Sequence, residues 1–168
     1  MIYEARASET PLGQGNILEE CPLVYWTAGM DQHGMLQFQS ASSVERVVAL
    51  TQACDLANTK TSKVQVAVVH ATAKLVRDGI LKAQTVRDQV RRHLVFGWYF
   101  LPAEDGNPES IVDLHDVHTV PRELLDEQIR LQHRKTAIST PYREHLAQHF
   151  ATTYSRIALP EPYETLPE

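Results

Sequence analysis

Cysteine is scarce in this chain, and long apolar runs are absent. Only Cys21 and Cys54 occur among the 168 residues, which excludes the disulfide framework of a small secreted domain. No apolar run approaches the roughly 18 residues that a membrane-spanning helix needs. The first residues also lack the basic start and apolar core of a secretory signal. We therefore expect a cytoplasmic protein with free thiols and no membrane partner.

An excess of positive charge is also missing. Lysine and arginine number 16 and aspartate and glutamate 21, so the formal net charge is −5. This excludes a polycation that binds nucleic acid over its whole surface. Cations are instead concentrated in residues 74–93, whereas residues 104–127 are acidic and contain Arg122 as their only cation. Any contact with nucleic acid therefore depends on the basic segment.

Apolar and alternating runs predict a protein rich in strands. Hydrophobic residues make up 43% of the chain, and the length predicts one domain with a single core. The strand at residues 44–51 organises the rest, because reactive side chains follow it directly. The other predicted strands cover residues 16–26, 35–38, 63–71, 95–101 and 110–114, with a long polar loop at residues 27–43. Short strands with few helices between them predict a β-rich α+β fold, with helices packed outside a bent sheet or barrel.

The insert at about residues 74–94 is expected to form one amphipathic helix, because apolar residues recur at helical spacing within residues 86–94. Its basic face is a candidate surface for the phosphates of RNA or DNA. The cations of this face are Lys82, Arg87, Arg91 and Arg92. Trp98 and Tyr99 follow and are candidates for stacking on bases. The alternative is a solvated helix face with both aromatic side chains in the core.

The two ends of the chain are expected to differ. Residues 1–14 are polar and predict a flexible arm, which leaves residues 15–158 for the single domain. A C-terminal helix is predicted at about residues 141–157, because Thr140-Pro141 precedes an apolar stripe at helical spacing. Residues 159–168 are rich in proline and acidic residues and predict a tail.

Several segments follow one another in an order known from one family. They are Gly15, the strand at residues 46–51, Asn58 in the next loop, the strand at residues 66–72 and the aspartate-bearing segment at residues 110–120. This order resembles the toxin endoribonucleases of the MazF/PemK kind over roughly residues 15–130. The resemblance implies an SH3-like barrel, a homodimer and metal-independent cleavage of RNA. The family's proline after the arginine is absent here, and the basic insert replaces a compact loop.

The same resemblance implies a catalytic site at Arg46 and Thr72. Arginine suits a phosphate because its planar guanidinium stays charged and binds two oxygens at once. Thr72 would bind a phosphate oxygen, and His70 would act as acid or base near neutral pH. The alternative is that Arg46 is an ordinary surface charge on a strand.

The segment Thr-Gln-Ala-Cys-Asp-Leu at residues 51–56 resembles a separate set of small bacterial proteins from restriction or phage-defence neighbourhoods. The alternative to a toxin is a non-catalytic interaction module that recognises a small ligand, or a partner protein from the same operon. Its ligand contacts would come from Thr51, Gln52 and Asp55, and the acidic segment around Asp113 and Asp116 and the terminal helix would supply further contacts. Cys54 is a candidate nucleophile for a thiol enzyme, although a lone cysteine after an apolar strand is usually structural.

Two histidine pairs have spacings that occur in metal sites. His145 and His149 lie one helical turn apart, but the glutamate of the His-Glu-x-x-His motif is missing. His115 and His118 flank Asp116, and no cysteine pair supplies further ligands. We expect surface histidines, no metal and no cofactor.

Overall fold

The computed structural model describes residues 1–7, 9–58 and 61–155. Within these residues the chain forms seven strands and five α-helices. The strands are β1 (Tyr3–Glu4), β2 (Asn16–Met30), β3 (Leu36–Ala49), β4 (Lys63–Ala71), β5 (Trp98–Leu101), β6 (Ser110–Pro121) and β7 (Arg134–Ile138). The helices are α1 (Ala53–Ala57), α2 (Thr72–Arg77), α3 (Ala83–Asp88), α4 (Arg122–Arg130) and α5 (Tyr142–Tyr154), with a short 3₁₀ helix at Val90–Arg92. The predicted α+β class, rich in strands, is confirmed.

All strands belong to one antiparallel sheet in the order β1-β7-β2-β3-β4-β6-β5. The sheet is not closed, since β1 and β5 lie at its edges. Strand β4 pairs with β3 on one side and β6 on the other. Its residues from Val66 to Val69 are all buried, as the apolar run in the sequence predicts for a central strand.

The sheet is covered on both faces. On one face, Val48, Ala67 and Val69 pack in a core that includes Leu146 of α5; this is the α5 face. On the other face, Val47, Val66 and Val68 pack in a core that includes residues of α4. A third core on this second face joins Phe100 and Ile111 to Leu75, Val86 and Val90. The insert predicted at about residues 74–94 corresponds to residues 72–92 of the structure, which contain α2, α3 and the 3₁₀ helix. The face that these helices cover is the insert face.

The insert differs from its prediction. The single basic helix expected there is wrong, because the chain forms three short helices instead. Val86 and Val90 are buried as their spacing predicts, but Leu94 is exposed. The helical path ends at His93, whose φ of 54° is left-handed. Such a conformation terminates a helix.

Both ends of the described chain are packed. Tyr3 and Glu4 pair with β7, and Ile2 and Tyr3 are buried in the core of the α5 face. The amino terminus is therefore part of the domain, in contrast to the arm that the sequence predicts. The C-terminal helix forms at Tyr142–Tyr154, close to its predicted position. The predicted tail at residues 159–168 lies outside the described residues.

Strands β2 and β3 continue far beyond the rest of the sheet. Strand β2 pairs with β7 only at Asn16–Leu18, and β3 pairs with β4 only at Val47–Ala49. Among the described residues, residues 22–44 pair only with each other and form a two-stranded ribbon. The long polar loop predicted at residues 27–43 is therefore wrong. The glycines and serines of this segment favour a loop, although its apolar residues alternate as they do in a strand.

No helix in the described ranges is long and apolar enough to cross a membrane.

Candidate functional site

Alternation along β4 and β6 brings His70, Asp113 and His115 to the insert face. Val68 belongs to the core of this face, and His70 follows it by two residues in the same strand, so both side chains point the same way. Asp113 is the cross-strand partner of Val68 and shares its face. His115 lies two residues further along β6. Three side chains able to bind or transfer protons thus meet beside the insert.

Asp113 joins the two imidazoles. Its Oδ1 lies 3.2 Å from Nδ1 of His115 and also accepts a hydrogen bond of 2.9 Å from the His115 backbone N–H. Its Oδ2 lies 4.0 Å from Nε2 of His70. The side chains of His70 and Asp113 are 18% and 16% exposed, whereas that of His115 is 59% exposed. The carboxylate thus holds Nδ1 of His115, and the imidazole remains open to a substrate.

Gly97 makes room for the His115 ring. A Cβ atom at this position would lie 1.9 Å from Cε1 of His115, and the glycine has a φ of +83°. The close contact excludes a side chain at this position unless the ring moves. The positive φ disfavours any residue other than glycine. The next residue, Trp98, lies with its ring centroid 5.5 Å from that of His115. The half-buried indole therefore lies directly beside the histidine.

The cations of the insert adjoin this cluster. Ile111, on which the insert packs, is the cross-strand partner of His70. Arg91 pairs with Glu109 and lies 5.3 Å from the centroid of the Phe100 ring. The exposed cations of the insert are Lys74, Arg77, Lys82, Arg87, Arg91 and Arg92. These cations are exposed on three short helices, and the insert that carries them packs on the same sheet face as His70.

Arg46 lies on the α5 face. Val47, its neighbour in β3, contributes to the core of the insert face, so Arg46 points to the opposite side. Its Nε lies 3.0 Å from Glu19, and its Nη2 donates a hydrogen bond of 3.0 Å to Asn107. The guanidinium borders a cavity of about 770 Å³ that Tyr3 also lines. The structure therefore does not bring Arg46 and His70 together.

Thr72 is the first residue of α2 and is buried. Its backbone N–H donates a hydrogen bond of 3.0 Å to the carbonyl of Glu109. Its Oγ1 is buried and has no hydrogen-bond partner within the part of the chain that the structure describes. This hydroxyl is therefore not exposed on the surface in the observed conformation.

Cys54 lies on α1 and is exposed. Its Sγ is 3.7 Å from the amide oxygen of Gln52 and 3.9 Å from a carboxylate oxygen of Asp55. Among the described residues, no cation or imidazole lies within hydrogen-bonding distance of this thiol. Thr51 accepts a hydrogen bond of 2.8 Å from the backbone of Gln65. The roles predicted for these residues stay predictions, and within the described part of the chain the thiol has no neighbour of the kind that stabilises a thiolate.

His145 and His149 meet a third histidine around Tyr99. The His93 ring lies 4.5 Å from the Tyr99 ring and 4.9 Å from that of His145. Burial, and then the two neighbouring imidazoles, lower the pKa of His93 to about 4. Burial also lowers the pKa of His149. The described residues contain no group of three or more metal-binding side chains in a suitable arrangement.

The grouping of Asp113 and His115 with His70 is the part of the site that sequence reasoning missed. The sequence paired His115 with His118, but His118 contacts Asp116 instead, with Nε2 2.7 Å from its carboxylate. The alternation of Asp113 and His115 along β6 is visible in the sequence. Their position beside His70 depends on the pairing of β6 with β4, which local pattern does not reveal.

No protein-family model matches the chain, and no curated protein matches it significantly. The resemblance to the toxin endoribonucleases therefore depends on the residue pattern alone.

Proposed function

We propose that the protein binds single-stranded RNA across the insert face and cleaves it in a metal-independent reaction. The observation that carries this proposal is the contact of one carboxylate, Asp113, with two imidazoles beside a basic surface. Cleavage of RNA by its own 2′-hydroxyl needs a base for that hydroxyl and an acid for the leaving oxygen. Histidine can fill both roles near neutral pH.

Each member of the cluster has one role. His115, held at Nδ1 by Asp113, takes the proton of the 2′-hydroxyl through Nε2. The 2′-oxygen attacks phosphorus, and the bond from phosphorus to the 5′-oxygen breaks. Protonated His70 gives its proton to that 5′-oxygen. The products are a 2′,3′-cyclic phosphate and a free 5′-hydroxyl, and a later proton exchange with water resets both histidines.

The insert supplies the binding energy. Lys82, Arg87 and Arg92 are exposed on the same side of the sheet as His70 and can neutralise phosphates of the RNA backbone. Trp98 offers the edge of an aromatic platform beside His115, and a base stacked on an aromatic side chain contributes about 1–3 kcal/mol. Binding of this kind tolerates many sequences and weakens with salt.

The toxin resemblance supports RNA as the substrate. We also propose that the sheet is a variant of the SH3-like barrel and that the protein acts in phage defence. The site that the resemblance implies, Arg46 with Thr72, is a separate hypothesis. Because Arg46 lies on the opposite face of the sheet from His70, substitution of Arg46 distinguishes the two sites.

A non-catalytic interaction protein is the second candidate. The observation that favours it is the ribbon at residues 22–44, whose large apolar side chains are exposed. Exposed apolar patches of this kind mark sites of association.

The experiment compares cleavage of a mixed single-stranded RNA, in EDTA, by the wild type and four variants. His70→Ala and His115→Ala are expected to lose at least about 100-fold in rate, as removal of an acid or base does. His118→Ala is the matched control, because His118 also lies on β6 and contacts an aspartate of its own. Arg46→Ala is expected to cleave at the wild-type rate. Loss of activity in Arg46→Ala alone would move the site to the α5 face.

A further inference from the structure

The ribbon has one apolar face and one polar face. Residues directly opposite each other in an antiparallel pair share a face, and the register pairs Trp26 with Ser40 and Phe38 with Ala28. By the same register, the pairs Pro22–Val44, Val24–Ser42 and Met30–Leu36 lie on this face. The intervening pairs, such as Thr27–Gln39, lie on the other face. Leu23 on that second face is buried, so the apolar face is the outer one.

The apolar face is open over its whole length. Trp26 is 75% exposed, Met30 73% and Phe38 64%. The further exposed apolar residues of this face are Val24, Leu36 and Val44. Together the six side chains expose on the order of 700 Å², which exceeds the roughly 300–600 Å² of the largest apolar patch on a typical monomer. A two-stranded ribbon is marginally stable by itself, so this surface is expected to be covered in the working protein.

The centre of the face is complementary to itself in shape. Trp26 stands opposite a serine and Phe38 opposite an alanine, so large and small side chains alternate between these two neighbouring pairs. A two-fold axis perpendicular to the strands, between these two pairs, brings Trp26 of one copy over Ala28 of the other and Phe38 over Ser40. Large side chains then fill the spaces above small ones, as in well-packed cores.

The face is also complementary to itself in charge. Its pairs from Pro22–Val44 to Met30–Leu36 contain no charged residue, and its polar side chains are the hydroxyls of Ser40 and Ser42. Two identical faces therefore meet without like-charge repulsion, which would otherwise disfavour a symmetric contact. A partner selected by charge would find nothing to recognise here.

We propose that the outer face of the ribbon packs against the same face of a second copy and forms a two-fold symmetric dimer. Each copy would bury on the order of 700 Å², close to the roughly 800 Å² per partner of a standard interface. The contact is isologous, the commonest kind in homodimers. It uses none of the residues assigned to the RNA site and stands whether or not the protein cleaves RNA.

The test measures the mass of the full-length protein by light scattering across a concentration series. The wild type is expected to be a dimer at about 100 µM. Trp26→Ser with Phe38→Ser is expected to be a monomer with unchanged circular dichroism, because both side chains are exposed. The matched control is Thr27→Ser with Gln39→Ser, a pair on the opposite face of the same ribbon, which is expected to remain a dimer.

Ala28→Trp distinguishes specific packing from non-specific hydrophobic association. A tryptophan at this position occupies the space that Trp26 of the other copy fills in the dimer, so the dimer is expected to weaken at least about tenfold. Stronger association of this more apolar variant would overturn the proposal. A monomeric wild type at about 100 µM would overturn it as well, and binding of that monomer to neutral phosphatidylcholine vesicles would then assign the face to lipid.

Discussion

Arg46 and His70 point to opposite faces of one sheet. Val47 and Val68 are cross-strand partners, and Arg46 precedes the first by one residue while His70 follows the second by two. Since successive side chains of a strand alternate, one residue reaches the α5 face and the other the insert face. The sheet therefore separates the two side chains. His70 instead shares its face with Asp113 and His115, and this relationship moves the proposed chemistry to the insert face.

Asp113→Asn tests the role of Asp113 as a positioning residue. An amide lacks the negative charge that holds His115 in place at Nδ1, so the cleavage rate is expected to fall by about 10- to 100-fold. Asp116→Asn is the matched control, since Asp116 contacts His118 outside the proposed site, and this variant should cleave at the wild-type rate. An unchanged cleavage rate in Asp113→Asn would remove Asp113 from the mechanism.

Replacement of insert cations tests the proposed RNA surface. Each of Lys82→Ala, Arg87→Ala and Arg92→Ala is expected to weaken RNA binding. Each should also reduce by about one unit the slope of the logarithm of affinity against that of salt concentration. The measurement is fluorescence anisotropy with labelled single-stranded RNA at several salt concentrations. Lys63→Ala, an exposed cation at the start of β4, should leave the slope unchanged. Equal slopes for all four variants would place the RNA elsewhere.

Gly97→Ala tests whether the open space at Gly97 positions His115. The new methyl group would overlap the His115 ring, so cleavage is expected to drop in parallel with a loss of stability of about 1 kcal/mol or more. Gly79→Ala is the matched control, because Gly79 also has a positive φ, of +74°, but no atom lies within 4 Å of an added Cβ. Stability of both variants is measured by urea unfolding. Wild-type cleavage by Gly97→Ala would show that the ring position is unimportant.

The histidines around Tyr99 predict sensitivity to acid. Folding lowers the pKa of His93 from 6.5 to about 4, so the folded protein binds fewer protons than the unfolded chain between these values. The free energy of unfolding is therefore highest above pH 6.5, where His93 is neutral in both states, and it falls as the pH drops toward 4. The loss due to His93 is at most about 3 kcal/mol.

Urea unfolding at a series of pH values measures this effect. His93→Gln is expected to flatten the decline in stability between pH 6.5 and 4, because glutamine does not titrate. His33→Gln, in the exposed turn of the ribbon, is the control and should keep the wild-type decline. Parallel declines in the wild type and His93→Gln would contradict the burial of a neutral imidazole.

The sequence predicted elements whose signals are local. The apolar run ending at Val69 forms a central strand, and the stripe containing Leu146 forms the C-terminal helix with that side chain buried. The ribbon was missed because Gly29 and a serine-rich run have low strand propensity. Cross-strand pairing overrides that propensity there.

Individual residues of the candidate site were predictable from the sequence, but their spatial grouping was not. His70 and the insert cations were recognised from residue type and charge. Their grouping with Asp113, and the separation of Arg46 from them, follow from strand register. Register is a long-range property, and a shift of one residue exchanges the two faces. Residue order alone therefore favoured the combination of Arg46 with His70.

The most direct test of the proposed function is analysis of the ends that the purified protein produces. Single-stranded RNA and DNA of the same sequence are incubated with the protein in EDTA. The proposed mechanism predicts that RNA alone is cut, with 2′,3′-cyclic phosphate and 5′-hydroxyl ends, since the attacking group is the 2′-hydroxyl. Intact RNA, or cleavage of RNA and DNA alike, would contradict it.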